Sequence, residues 1–181
     1  MSRLTAYDKF IEQALKYGFS LYGIPKTGQV VSYQDFDDGY FQAGYPKSGA
    51  KYIDNGDGTI SDKSTGLMWP KDGNGAGCWS GVRRNWSEVL NWANTLTFAG
   101  HSDWRIPNVS ELFCLTKQNF PQGAPFIDTD FFTNCKSSTY WSSTTSVEYT
   151  NYALVVYFDL CVVRTYLKTE DRYVRAVRGG I

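Results

Sequence analysis

Residues 149–172 concentrate Tyr149, Asn151, Tyr152, Tyr157, Asp159, Arg164, Tyr166, Asp171 and Arg172. The chemistry of that set is recognition. Tyrosine offers amphipathic contact area at low rotamer cost, asparagine offers adaptable hydrogen bonds, and arginine clamps carboxylates or lies over rings, the mixture found in antibody-like paratopes. Groups for bond-making chemistry are scarce by comparison. His101 is the single histidine, and Cys78, Cys114, Cys135 and Cys161 are widely spaced with no C-x-x-C pair, which argues against a structural zinc site. His101 lies in Gly100-His101-Ser102-Asp103-Trp104 and reads as a turn residue. A chain of this length folds without disulfide staples, so buried or half-exposed thiols are expected, although three connectivities are open to four cysteines in an oxidising compartment.

One other stretch invites a chemical reading. Asp54-Asn55-Gly56-Asp57-Gly58-Thr59-Ile60-Ser61-Asp62 places oxygen-bearing side chains close together, as a hard cation such as calcium requires. The spacing fails for an EF-hand loop, because Gly56 stands at the third position and Thr59 at the sixth. Asn-Gly and Asp-Gly instead predict a hairpin that joins Lys51-Tyr52-Ile53 to Thr59-Ile60 and leads on to Leu67-Met68-Trp69.

The elements that would carry these residues follow from periodicity. Leu4, Phe10, Ile11, Ala14 and Leu15 fall near one helical face and predict a short N-terminal helix stopped by Gly18. From Gly23 to Gly49, glycines and prolines alternate with short aromatic runs, a loop-rich lead-in with at most one short strand near Val30-Tyr33. Asn85 before Glu88 and Asn108 before Glu111 are capping-box starts, followed by Val89, Leu90, Ala93 and Leu96 in one run and Val109, Leu112, Phe113 and Leu115 in the other. After Pro125 the period becomes two. Ala153, Val155, Tyr157 and Asp159 are expected on a displayed face, with Leu154, Val156 and Phe158 on a buried one. A second strand should follow the turn near Asp159–Val162, and Tyr173 to Val177 should form a closing strand. Trp69, Trp104 and Trp141 are expected as core pillars.

The composition bounds the function. With 181 residues the chain is long enough for one well-buried domain. Its 17% aromatic content, 17 glycines and 6 prolines favour short strands and many turns over long helices. Lys+Arg and Asp+Glu balance at 18 each, which removes the electrostatic footprint of a nucleic-acid binder. Asp8, Lys9, Glu12 and Gln13 interrupt the apolar residues at the N-terminus, so neither a signal peptide nor a membrane-inserted segment is expected.

Five ordered strings resemble one family: Asp54-Asn55-Gly56-Asp57-Gly58-Thr59, Thr65-Gly66-Leu67-Met68-Trp69, Ser102-Asp103-Trp104-Arg105-Ile106-Pro107-Asn108, Tyr140-Trp141-Ser142-Ser143-Thr144-Thr145 and Tyr173-Val174-Arg175-Ala176-Val177-Arg178-Gly179-Gly180. The chain is similar over residues 24–181 to the C-terminal domain of Lcl-type collagen-like adhesins. That resemblance implies a C-type-lectin-like fold, related to formylglycine-generating enzymes and to receptor-binding proteins diversified by retroelements. The expected architecture is α+β, with two main helices packed on short twisted antiparallel strands, an N-terminal helix extension over 1–24 and a loop-rich lead-in, all in one domain over 1–181.

In retroelement-diversified members, the segment between the Trp-Ser-Ser-Thr-Thr and Val-Arg-Ala-Val-Arg strings is rewritten at adenine-containing codons. Asp159-Leu160-Cys161-Val162 and Arg164-Thr165-Tyr166-Leu167 stand where the family commonly has Asn- and Gly-rich hairpins, as scattered replacement of asparagines would produce. The candidate ligand-binding set is therefore Tyr149, Asn151, Tyr152, Val155, Tyr157, Asp159, Leu160, Cys161, Arg164, Tyr166, Leu167, Asp171 and Arg172. The expected partner is a host cell-surface protein or glycan, and the expected setting is a virion, with a cell surface as the alternative. No cofactor is expected. Calcium-dependent sugar binding is disfavoured because Ile106-Pro107-Asn108 and Trp141-Ser142-Ser143 lack the carboxylates of lectin motifs. A copper-dependent oxidase is disfavoured too, because the separation of Cys135 and Cys161 does not match the enzyme pattern.

Overall fold

The computed structural model describes residues 23, 26–44, 51–117 and 123–179. The helix expected at 4–16 lies outside them. Three strands, β1 (Tyr52–Asp54), β2 (Thr59–Asp62) and β3 (Leu67–Pro70), form one antiparallel sheet in the order β1-β2-β3. Its first turn is the Asn-Gly/Asp-Gly hairpin, with Gly56 and Gly58 at φ 79° and 90°, where a side chain would be strained. The acidic residues of this turn serve the hairpin. Asp54 accepts from the Gly56 N–H at 3.0 Å and pairs with Lys71 at 2.6 Å, while Asp57 accepts from the Thr59 N–H and hydroxyl at 3.0 and 2.6 Å.

The second antiparallel sheet holds β4 (Thr139–Thr145), β5 (Tyr152–Tyr157) and β6 (Val162–Leu167) in that order. Tyr157 pairs with Val162, so residues 158–161 make the turn, with Cys161 in the left-handed region at φ 52°. A register shift between Trp141 and Thr145 bends β4 away from β5.

Helices are few and short. The segment α1 (Asp38–Phe41) is capped by Asp37 in the lead-in, where Val30–Tyr33 form no strand. Helix α2 (Trp86–Thr95) opens with the expected capping box of Asn85 and Glu88 and buries Val89 and Ala93. The Asn108/Glu111 capping box also forms, yet its helix, α3 (Val109–Phe113), spans a single turn and a half. Two main helices on a sheet were expected, and that architecture is overturned: only α2 exceeds six residues of α-helix among the described residues, and the body consists mostly of two small sheets. The cause is local. Past Phe113 the backbone tightens into Leu115 N–H to Leu112 carbonyl and Thr116 N–H to Phe113 carbonyl bonds of 3.2 and 2.9 Å, and the Thr116 hydroxyl claims the Phe113 carbonyl at 2.8 Å. Burial of Leu112 and Leu115 in the core rewards that early turn.

The closing segment corrects a second expectation. Tyr173–Val177 form no strand of their own. They run as isolated bridges, Tyr173 beside Tyr140 and Val177 beside Arg105, and Arg178 then pairs with Met68 of β3. This segment therefore ties both sheets and the Trp104–Ile106 loop together.

Two cores meet across β5. Val156 and Phe158 join Ile60, Trp69, Leu112, Phe132 and Tyr140 on one side, whereas Ala153 and Val155 join Val89, Ala93, Trp141 and Val174 on the other. The expected division of β5 into a buried and a displayed row thus fails, because α2 covers the second face. Each buried valine contributes about 1.5–3 kcal/mol of transfer free energy. Trp69, Trp104 and Trp141 are all buried as core pillars. Trp141 donates through Nε1 to the Arg84 carbonyl at 3.0 Å, so burying its ring leaves no donor idle.

Charge is also buried. Lys51 and Asp62, both sealed from solvent, pair at 3.1 Å, and Asp62 further accepts from the Ser64 N–H and hydroxyl at 2.8 and 2.6 Å. Desolvation pushes the Lys51 ammonium below the usual lysine range, and Asp62 acts in the opposite direction. Lys51→Met leaves the Asp62 carboxylate buried without its cation and is predicted to lower stability by about 3–5 kcal/mol in chemical denaturation. A loss under about 1 kcal/mol would mean that solvent reaches this pair.

Candidate ligand-binding surface

The β5–β6 hairpin positions most of the candidate residues because its register is fixed by burial on both faces of β5. Tyr149, Asn151, Leu160, Arg164 and Asp171 are exposed. Tyr152, Tyr157, Asp159, Cys161, Tyr166, Leu167 and Arg172 are half-buried. Val155, expected in the displayed row, is fully buried against α2 and leaves the set of surface candidates. Leu154, expected inside, is half-buried.

Neighbouring side chains organise one another. The hydroxyls of Tyr157 and Tyr166 are hydrogen-bonded across the strand pair, with ring centroids 6.1 Å apart. Arg172 lies over the Tyr166 ring at 4.0 Å from its centroid, and its Nη2 donates to Glu170 at 2.6 Å. This cation, its ring and its carboxylate hold each other in place, so little rotamer freedom remains to be lost on contact. At the other end of β5, the exposed Tyr149 packs on Tyr152 with centroids 5.7 Å apart. One carboxylate oxygen of Asp159, at the turn, is buried with no hydrogen-bond partner.

The surface continues onto residues that sequence reasoning did not place in it. Trp79 and Trp92 stack with centroids 5.0 Å apart, and Arg84 sits 5.7 Å from the Trp79 ring. The Lys168 ammonium lies 3.9 Å from the Trp86 ring and donates to Thr145 at 2.8 Å. Trp79, Trp86 and Trp92 are half-buried and pack against the α2 core together with Tyr157 and Tyr166. Backbone bonds weld the two parts: Arg84 and Arg172 exchange both N–H to carbonyl bonds at 3.0 Å, and the Trp86 N–H reaches the Lys168 carbonyl at 3.0 Å. A signal was available in the sequence, since these three tryptophans lie outside the five family strings.

The arrangement offers rigid aromatic area, cations held on ring faces and a few exposed polar groups. Among the described residues, no group of three or more His, Cys, Asp or Glu side chains is arranged to hold a metal ion. No helix of the described residues is long and apolar enough to cross a membrane.

Burial and the bond from Tyr166 push the Tyr157 phenol up to about 12. A phenol whose folded pKa is raised keeps its proton in the native state while the unfolded chain loses it. Its contribution is therefore complete below about pH 10 and is lost as pH rises toward about 12. Tyr157→Phe is predicted to remove a late-titrating component from the tyrosinate absorbance and to flatten the fall of stability over that window. An unchanged titration curve would place the phenol in ordinary solvent.

Comparison with known sequences agrees with the ordered strings. No curated protein matches the chain. The pattern of the Lcl C-terminal domain matches residues 58–178, from the first hairpin through the segment that ties the sheets together. The match takes in β2 to β6, both capping boxes and the whole aromatic surface, and the chain belongs to the Lcl C-terminal domain family, an adhesin-like group of domains.

Proposed function

We propose that this protein binds a host cell-surface protein or glycan through the β5–β6 hairpin and the Trp79–Trp92 and Trp86–Lys168 pairs beside it, as a receptor-binding component of a virion. In this reading, residues 149–172 are the segment that a diversity-generating retroelement rewrites. The observation that carries it is the separation of roles within that segment. Ala153, Val155, Val156 and Phe158 hold the strand in the two cores, while Tyr149, Asn151, Leu160, Arg164 and Asp171 project to solvent. Side chains of the second group can change without removing a core contact, which a repertoire requires. Membership in the Lcl C-terminal domain family supports adhesin-like binding.

A non-diversified adhesin that binds glycan is the second reading, favoured by the stacked Trp79–Trp92 pair, since flat aromatic faces suit sugar rings. The two readings differ in where affinity resides. Replacing Tyr149, Leu160 and Arg164 together with alanine should abolish cell binding under the first reading. Under the second, Trp79→Ala should do so while the triple variant still binds. Tyr157 and Tyr166 pack on the α2 core and are left out of this test; Trp79 packs there too, so loss of binding by Trp79→Ala counts only where its Tm stays at the parent value. The triple variant is predicted to keep its unfolding free energy within about 1 kcal/mol of the parent, read as Tm, and to lose binding in flow cytometry. Retained binding by the triple variant would overturn the hairpin reading.

A further inference from the structure

Away from the aromatic surface, Arg175 is fully buried, and only one of its guanidinium nitrogens finds a hydrogen-bond partner. Nη1 donates to the Pro70 carbonyl, whereas Nε and Nη2 have no partner. A buried guanidinium with idle donors is costly, because buried charges are as a rule paired and hydrogen-bonded. Asp72, the carboxylate on which Arg175 acts, stands beyond ion-pair distance of it and accepts through Oδ1 from the Asn74 N–H at 2.8 Å and the Asn134 amide at 2.9 Å. The group that lies against Arg175 and remains half-exposed is Cys135.

The Lys136 N–H donates to the Tyr140 oxygen at 2.8 Å, and the Tyr140 hydroxyl, whose own proton stays available, lies 3.6 Å from the Cys135 sulfur. In its protonated form the thiol can donate to the Lys136 carbonyl at 3.8 Å. Burial raises the Tyr140 phenol far above the ordinary range, so Tyr140 stays a donor at any physiological pH. Cys78, which also faces Arg175, has the opposite environment: it is sealed from solvent and burial pushes its thiol up to about 11.

We propose that Cys135 is a peroxide-reactive modification site, in which Tyr140 and the idle donors of Arg175 hold the oxygen that the sulfur acquires. The sulfur attacks one oxygen of hydrogen peroxide. An S–O bond forms, the O–O bond breaks, and sulfur gives two electrons to the peroxide. The departing hydroxide takes up the proton that the thiol released, leaving water and a sulfenic acid at Cys135. The sulfenate oxygen is the acceptor that Nε and Nη2 lack, which favours retention of this first oxidation state. The position stands outside residues 149–172, so the reactivity belongs to the constant frame.

The test uses the full chain, hydrogen peroxide and a cyclic diketone that traps sulfenic acids, with each cysteine followed by peptide mass spectrometry. Cys135 is expected to be trapped faster in the folded chain than in the chain unfolded by guanidinium, and Cys78 slower. Tyr140→Phe keeps the ring and removes the donor, and should slow trapping at Cys135 about fivefold, the effect of one hydrogen bond. Arg175→Lys should slow it as well; if that variant fails to fold, Tyr140→Phe decides alone. Trapping at Cys135 no faster in the folded than in the unfolded chain, or unchanged by Tyr140→Phe in a folded variant, would overturn the proposal.

Discussion

Val155 and Val156 are adjacent in sequence and sealed from solvent on opposite faces of β5, and the remaining architecture is arranged around that double burial. A strand buried on both faces needs two covers. The β1–β3 sheet with α3 and the Phe132 region supplies one, and α2 with Trp141 and Val174 supplies the other. Register is then fixed strongly, since a slip by one residue would bring Leu154 or Tyr157, according to its direction, to a position now held by valine. The hairpin tip inherits this rigidity although few of its own residues are buried.

Burial of polar groups adds specificity to that apolar frame. Lys51 with Asp62, the Trp141 indole on the Arg84 carbonyl and Arg175 on Pro70 each allow one arrangement of the loops they join. Arg84 in turn exchanges backbone bonds with Arg172, where the displayed segment ends. The path from Trp141 through Arg84 to Arg172 thus sets the position of the cation over Tyr166. Core packing and surface geometry are connected here through backbone bonds, which hold the ends of residues 149–172 in place.

Local signals in the sequence were reliable wherever local chemistry decides the outcome. Asn-Gly and Asp-Gly turns formed the first hairpin, and both capping boxes formed. Parity along β5 misled because alternation is informative only for a strand with one wet face, and α2, distant in sequence, covers the second one. The length of α3 misled because the Thr116 hydroxyl and the burial of Leu115 end it, effects that helical spacing does not carry. The closing segment misled because its Val174-Arg175-Ala176-Val177 run resembles a strand, while its partners are three different elements. The candidate surface was legible in its hairpin half. Its tryptophan half depends on the contact between the 76–81 segment and α2, which no short-range pattern encodes.

The double burial of β5 sustains the fold independently of the exposed hairpin residues. A library randomised at Tyr149, Asn151, Leu160, Arg164 and Asp171 and sorted for protease resistance measures this directly. If burial of β5 suffices, most members resist proteolysis like the parent, with no preference for the parental residue at any of the five positions. Recovery of the parental residues among the resistant members would contradict it.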